Sequence, residues 1–220
     1  MLISILVVGL LFFVGSANAQ GYYFQLEQYI VHAFWNEDGT LSIDYSFYFA
    51  NDPSAGYIEY VDVSMPNPNF DESSVSADTN GQALSFISRD EYQGDGEGVA
   101  VGLGDLSIPP GEKGMVHVFV GRVERVLYPD DQDSEYASAV LAPARFQSDI
   151  VYGTTDMTVT FHLPPGVQPD EPRWHTAPSG FPDTPETGFD GNGRITYTWH
   201  NPLADGQTKY DFGASFPSKY

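Results

Sequence analysis

The chain has 220 residues and carries 30 Asp and Glu against 9 Lys and Arg, a formal charge of −21. Such an acidic surface disfavours nucleic acid, whose phosphates need Lys and Arg to replace counterions, and anionic membrane surfaces for the same reason. Cysteine is absent, which excludes a disulfide framework, a thiol nucleophile and a Cys-ligated metal.

The first element is a leader. Leu2 to Val14 is almost wholly apolar and runs into Ser16-Ala17-Asn18-Ala19. Ala17 and Ala19 form the small-x-small pattern of a cleavage site, so residues 1–19 read as a signal peptide and Gln20 as the first mature residue. The apolar run is shorter than the about 20 residues a membrane span needs. The leader lacks the usual basic start, and an uncleaved leader serving as an anchor is the alternative. The expected location is therefore extracytoplasmic, in or beyond a bacterial cell envelope.

The rest of the chain reads as strands separated by turns. Aromatic residues make up 15% of the sequence, and Gly and Pro are plentiful. From Thr40 to Ala50 the sequence TLSIDYSFYFA alternates strictly, with Leu41, Ile43, Tyr45, Phe47 and Phe49 on one face. That period of two marks a half-buried strand. Asp38-Gly39 joins it to Tyr22–Trp35 as a β-hairpin. Further strands are expected at Tyr57–Ser64, Ala83–Ser88, Val99–Leu103 and Met115–Val126, the last entered through the Pro109-Pro110-Gly111 turn. Pro129–Tyr136 reads as an acidic loop, and Tyr136–Phe146 as either strand or short helix. Asp156–Leu163 alternates again and stops at Pro164-Pro165-Gly166. The five prolines of Gln168–Gly188 suggest a segment wrapping the surface. After an Asp190-Gly191-Asn192-Gly193 turn come strands at Arg194–His200 and Lys209–Phe216.

Many short strands with regular turns point to an all-β, immunoglobulin-like sandwich. A boundary near Asp130–Gln147 suggests two in tandem, spanning residues 20–135 and a smaller 136–220. One larger sandwich is the alternative.

Three stretches carry a likeness to a known family. "YIVHAFWNEDGTLSIDYSFY" at Tyr29–Tyr48, the strand and acidic turn of Val116–Tyr136, and "TTDMTVTFHLPPG" at Thr154–Gly166 cover about a third of the mature chain. Together they resemble the extracellular, β-rich N-terminal region of a family of predicted bacterial membrane proteins of unknown function. The resemblance implies an envelope-associated β domain with no catalytic residues to carry over. In that family a hydrophobic segment follows the extracellular region, so the expectation is either a soluble relative or a chain whose membrane anchor lies downstream of Tyr220.

Motifs for catalysis are missing: the sequence has no GxSxG elbow, P-loop, HExxH or dinucleotide fingerprint. His32, His117, His162, His175 and His200 are scattered, and ordinary polar strand positions account for four of them. Among 30 acids some pair always has the separation for glycoside hydrolysis, so a secreted hydrolase using a carboxylate pair stays an alternative. Asp130, Asp131, Asp133 and Glu135 are the candidate metal ligands, since alternate carboxylates on a loop suit calcium; a solvated acidic loop is the plainer reading, and no cofactor is otherwise expected. Asp190–Arg194 begins like a calcium loop but puts Arg194 where an oxygen ligand belongs. Trp174 is the candidate ligand-binding residue, because its Pro-rich segment "EPRWHTAPSG" offers an exposed ring to a sugar, whereas Trp35 and Trp199 read as core. The expectation is an exported protein with a structural or binding role, its partner an envelope protein or polysaccharide. A carbohydrate-binding module is the first alternative.

Overall fold

The computed structural model describes residues 21–220. The leader 1–19 and Gln20 lie outside the described residues.

Sixteen strands form among these residues. β1 (Phe24–Trp35) and β2 (Leu41–Asn51) are the expected hairpin, with Trp35 opposite Leu41. Asp38 Oδ1 accepts from the Thr40 amide at 3.1 Å and the Thr40 hydroxyl at 2.6 Å. Gly39, at φ +77°, supplies the left-handed residue the turn requires. β3 (Tyr60–Ser64) comes next, then β4 (Val75–Thr79), which is too polar to stand out by alternation. Ala83–Ser88 reads as one strand but breaks at Ser85 into β5 (Gln82–Leu84) and β6 (Phe86–Ser88), which join different sheets. Then come β7 (Gly98–Gly102), β8 (Lys113–Val123), β9 (Leu127–Pro129) and β10 (Tyr136–Leu141). The ambiguous segment after Tyr136 is thus a strand, held by antiparallel partners on both sides. β11 (Val151–Tyr152), β12 (Thr155–His162), β13 (Arg173–Trp174), β14 (Glu186–Phe189), β15 (Ile195–Ala204) and β16 (Phe212–Pro217) complete the chain.

The fold is all-β, with sheets packed as a sandwich. Nine strands form the large sheet, in the order β14-β15-β12-β1-β2-β8-β4-β5 with β11 beside β1. A four-stranded sheet runs β13-β16-β10-β9 and a three-stranded one β3-β7-β6. β1 and β12 pair in parallel, from Gln28 opposite Asp156 to Phe34 opposite His162. A parallel pair requires a long crossover, and here everything from β2 to β11 lies between the two strands.

That pairing corrects the expected division at 135/136. The large sheet takes β1, β2, β4, β5 and β8 from one side of the boundary and β11, β12, β14 and β15 from the other. β9 and β10 pair across it. One continuous cluster of buried residues draws on all three sheets, from Val31 and Val101 to Phe216. Local alternation marks each strand but does not say which strands share a core.

The core face of β1 and β2 carries Tyr29, Val31, Ala33, Trp35, Leu41, Ile43, Tyr45 and Phe47, all at most 1% exposed. Burying each large apolar side chain contributes roughly 1.5–3 kcal/mol. Trp35 and Trp199 are fully buried, as expected, and both pack edge-on against Phe161. Among the described residues no helix is long and apolar enough to cross a membrane.

Candidate functional site

A groove at the edge of the four-stranded sheet is lined by the stretch from Arg173 to Thr176 and by the start of the acidic run; Arg173 shares its face with Ser215, and the Trp174 side chain, opposite Ala214, turns to the other face. β13 adds to β16 through only two residue pairs, Arg173 with Ser215 and Trp174 with Ala214. The β9–β10 connection brings Asp130, Asp131 and Gln132 to the groove. The cavity measures about 480 Å³, within the size range of small-ligand sites.

Trp174 is 41% exposed. Its indole meets the buried Tyr197 ring at 89°, with centroids 5.6 Å apart. The segment leading to it is tied down at three successive residues. Tyr136 donates its hydroxyl hydrogen to the Glu171 carbonyl at 3.0 Å, and Tyr197 donates to the Pro172 carbonyl at 3.1 Å. The Arg173 guanidinium lies 4.1 Å above the Tyr136 ring and pairs with Asp133 at 3.0 Å. Opposite Ala214, the ring lies on the core-facing side of the sheet, away from the face that carries Ser215, Ser138 and Arg173.

The polar floor of the groove is a chain of three side chains. Ser215 Oγ lies 2.5 Å from Asp130 Oδ2 and 2.7 Å from His175 Nε2. A carboxylate only accepts, so the serine hydroxyl donates to Asp130 and the imidazole Nε2–H donates to the serine. Asp130 Oδ1 also accepts the Gln132 and Asp133 amides at 2.9 and 3.0 Å. The Ser215 hydroxyl and these amides hold the Asp130 carboxyl below its usual range. Burial pushes the His175 pKa down, with Asp130 opposing only in part, so the ring is neutral near pH 7. His175 lies flat over Gly213, where any side chain would collide with the imidazole.

This order, acid–serine–histidine, is the wrong way round for nucleophilic catalysis. An activated serine gives its proton to an imidazole that an acid orients. Here the serine is the middle member, its proton points at the carboxylate, and the residue is 2% exposed. Nor does Asp130 suit a glycosidase general acid, which needs a raised pKa.

The four acids singled out for calcium do not converge. Asp130 and Asp131 line the groove, whereas Asp133 turns to Arg173 and to the Glu135 amide. Glu135 is exposed and its carbonyl accepts from Ser218. Among the described residues no three acidic or histidine side chains gather as a metal-holding group. The Asp190 turn is a hairpin, as its Arg194 implied: Asp190 Oδ1 accepts the amides of Asn192 and Arg194.

Sequence reading missed how the histidines are wired. The strand histidines His32, His117, His162 and His200 all lie on the face of the large sheet away from the core. His117 bridges Asp78 at 2.8 Å and Asp44 at 3.0 Å. Burial works against its charge, but these two carboxylates prevail and raise its pKa. His162 stacks on Phe34, lies 2.9 Å from His32 and contacts Asp190 at 2.9 Å. Burial dominates there and lowers its pKa. The signal was the shared phase of these residues in the period of two, but the order of strands in the sheet was not available to reveal it.

No protein-family model matches the chain, and no curated protein matches it. Solved structures do. The M1 zinc metallopeptidase from Deinococcus radiodurans superposes with a TM-score of 0.51 and 16% identity, over 90% of this chain and 43% of that one. A mutant of the same enzyme bound to a Tyr-Ser-Ala substrate gives 0.51 and 16%, over 89% and 43%. A two-domain M1 zinc metallopeptidase mutant bound to L-tryptophan gives 0.50 and 14%, over 90% and 44%. The chain spans less than half the length of these metallopeptidases, and at such identity the likeness is one of fold: a three-sheet β architecture that also occurs within M1 metallopeptidase chains.

Proposed function

We propose that this chain is an exported, envelope-associated β-sandwich module that works by binding rather than by catalysis. The carrying observation is the wiring of the groove, where a buried serine donates to a carboxylate and receives from a neutral imidazole. That arrangement orders a surface and leaves no activated nucleophile. The signal-peptide pattern at residues 1–19 and the acidic, cysteine-free composition support an extracytoplasmic setting.

The test has two parts. Fractionation of native cells with N-terminal sequencing is expected to find an extracytoplasmic protein beginning at Gln20. Assays with peptide, ester and glycoside substrates are expected to give no turnover that depends on Ser215 or His175. Turnover abolished by Ser215→Ala or His175→Ala refutes the non-catalytic reading.

A second reading is favoured by the fold likeness alone. In it the module acts beside a metallopeptidase-like catalytic region, since the matching structures hold such a fold within longer peptidase chains. Crosslinking in the native cell checks it: without a crosslinked peptidase bearing an HExxH motif, this reading falls.

A further inference from the structure

We propose that the corner between Tyr60 and Phe86, on the outer face of the three-stranded sheet, is a docking site for a Lys or Arg side chain of a basic partner polypeptide. The proposal rests on the binding reading above and names the partner's chemistry at a second place on the molecule.

Strand register builds the corner. Tyr60 on β3 and Phe86 on β6 both lie opposite Gly102 on the central strand β7. Residues paired in one row point to one face, and successive rows alternate. The next row is Val61, Val101 and Ile87, which packs into the core, so Tyr60 and Phe86 point outward. Gly102 leaves the middle of their row empty, and the Phe86 ring leans across it: a Cβ on Gly102 would lie 2.9 Å from that ring. The two rings meet at 77° with centroids 5.8 Å apart, yet Tyr60 is 44% and Phe86 43% exposed. Both line a hollow of about 540 Å³ whose only charged lining residues are Glu59 and Asp105.

The occupant follows from how this chain seats its own cations. Arg89 lies 4.5 Å above Phe70 and pairs with Glu97. Arg173 lies over Tyr136 and pairs with Asp133, and Lys219 lies 4.6 Å above Tyr220 and pairs with Glu171. Each cation has a ring face, whose quadrupole attracts positive charge, and a carboxylate beside it. The Tyr60–Phe86 corner repeats the rings and the carboxylates but holds no cation. Among the described residues no Lys or Arg lies over either ring, and neither Glu59 nor Asp105 enters an ion pair. Lys113, in the adjoining hollow, is held by Glu27. An anionic partner would meet two carboxylates and no positive group there. The formal charge of −21 steers basic segments toward the chain and opposes a second copy of it as the occupant.

NMR titration of the folded protein tests this, with the end-blocked peptides GSRSG and GSKSG as probes and GSQSG and GSESG as controls. Salt at about 0.15 M screens charges beyond about 8 Å and suppresses diffuse attraction. Saturable shifts centred on Gly102 and Phe86 are expected for at least one basic peptide, with a Kd of about 10 mM or tighter. Phe86→Leu and Tyr60→Leu each remove a ring and keep the net charge, so they leave non-specific attraction intact; each is expected to weaken binding about three-fold or more. The pair Glu59→Gln with Asp105→Asn is expected to weaken it as well. Asp149→Asn with Asp183→Asn, the same charge change on exposed residues elsewhere, is expected not to. Unchanged thermal melting of the variants separates lost binding from lost fold. Four results overturn the proposal: no basic peptide binding more tightly than about 10 mM, equal binding of GSQSG, a Kd insensitive to both ring substitutions, or equal weakening by the distant pair of acids. None of these touches the non-catalytic reading. Cleavage of a peptide during the titration would instead overturn that reading and leave the docking site standing.

Discussion

Trp199→Ala tests whether the chain folds as one cooperative unit. Trp199 sits on β15 in the large sheet, fully buried, and its ring packs against Phe161 at 5.4 Å and Phe212 at 5.3 Å. Phe212 belongs to β16 of the four-stranded sheet, so the indole joins two sheets. Truncation of a buried Trp costs about 3–5 kcal/mol, transfer and cavity terms together. For a domain of this size each kcal/mol lowers Tm by roughly 2–4 °C, so a drop of about 6–20 °C is expected in a melting scan by circular dichroism. The transition should stay single, because Trp35 contacts the same Phe161 from β1 and the whole cluster is continuous. Trp199→Phe is a useful companion. The indole Nε1 has no hydrogen-bond partner among the described residues, so the smaller ring also removes a buried orphan donor, worth about 1–3 kcal/mol. That gain offsets the lost volume, and its Tm should lie much nearer the wild type. Two separate transitions in Trp199→Ala, with the first half melting as before, would refute the single-core reasoning.

Other consequences are as direct. His162, whose pKa is lowered, binds fewer protons folded than unfolded, so its contribution is present above the ordinary value of 6.5 and is lost as pH falls below it. His117, whose pKa is raised, has the opposite sign: its contribution is full below 6.5 and is lost as pH rises through the folded value. Replacing His117 by Asn removes the acid-side support, so Tm should fall more steeply between about pH 8 and about pH 5 than in the wild type; an equal or shallower slope contradicts the assignment. Gly213→Val collides with the His175 ring lying over that position. It should displace the imidazole and perturb the His175 and Trp174 resonances in NMR spectra, while spectra that leave both unmoved would discard the close approach. Calcium or a chelator should leave Tm unchanged, because Asp130, Asp131, Asp133 and Glu135 form no common cage; a calcium-dependent rise would show that they rearrange to bind it.

Much of the local structure was legible because it depends on near neighbours. The alternation of Thr40–Ala50 and Asp156–Leu163 reflects one buried and one wet face, and both became strands with the expected faces inward. The Asp38-Gly39 and Asp190–Gly193 turns followed from side-chain caps on backbone amides and from glycine at positive φ. Where short-range signals conflicted, the outcome came from pairing. Tyr136–Leu141 became a strand because β16 and β9 flank it, and Ala83–Ser88 divided because its two ends serve different sheets.

The site shows the same split. The exposure of Trp174 was legible in its Pro-rich, polar surroundings. The contacts of Asp130 were not legible in its run of acids, because Ser215 and His175 lie 85 and 45 positions away along the chain. Alternation, turn residues and apolar context sufficed for the all-β class, the strand faces, the turns and the buried tryptophans, all consequences of burial and backbone geometry within a few residues. Long-range packing set β1 parallel to β12, joined the three sheets in one core, and brought Asp130, His175 and Ser215 together. Those depend on long-range strand order, which a period of two does not encode.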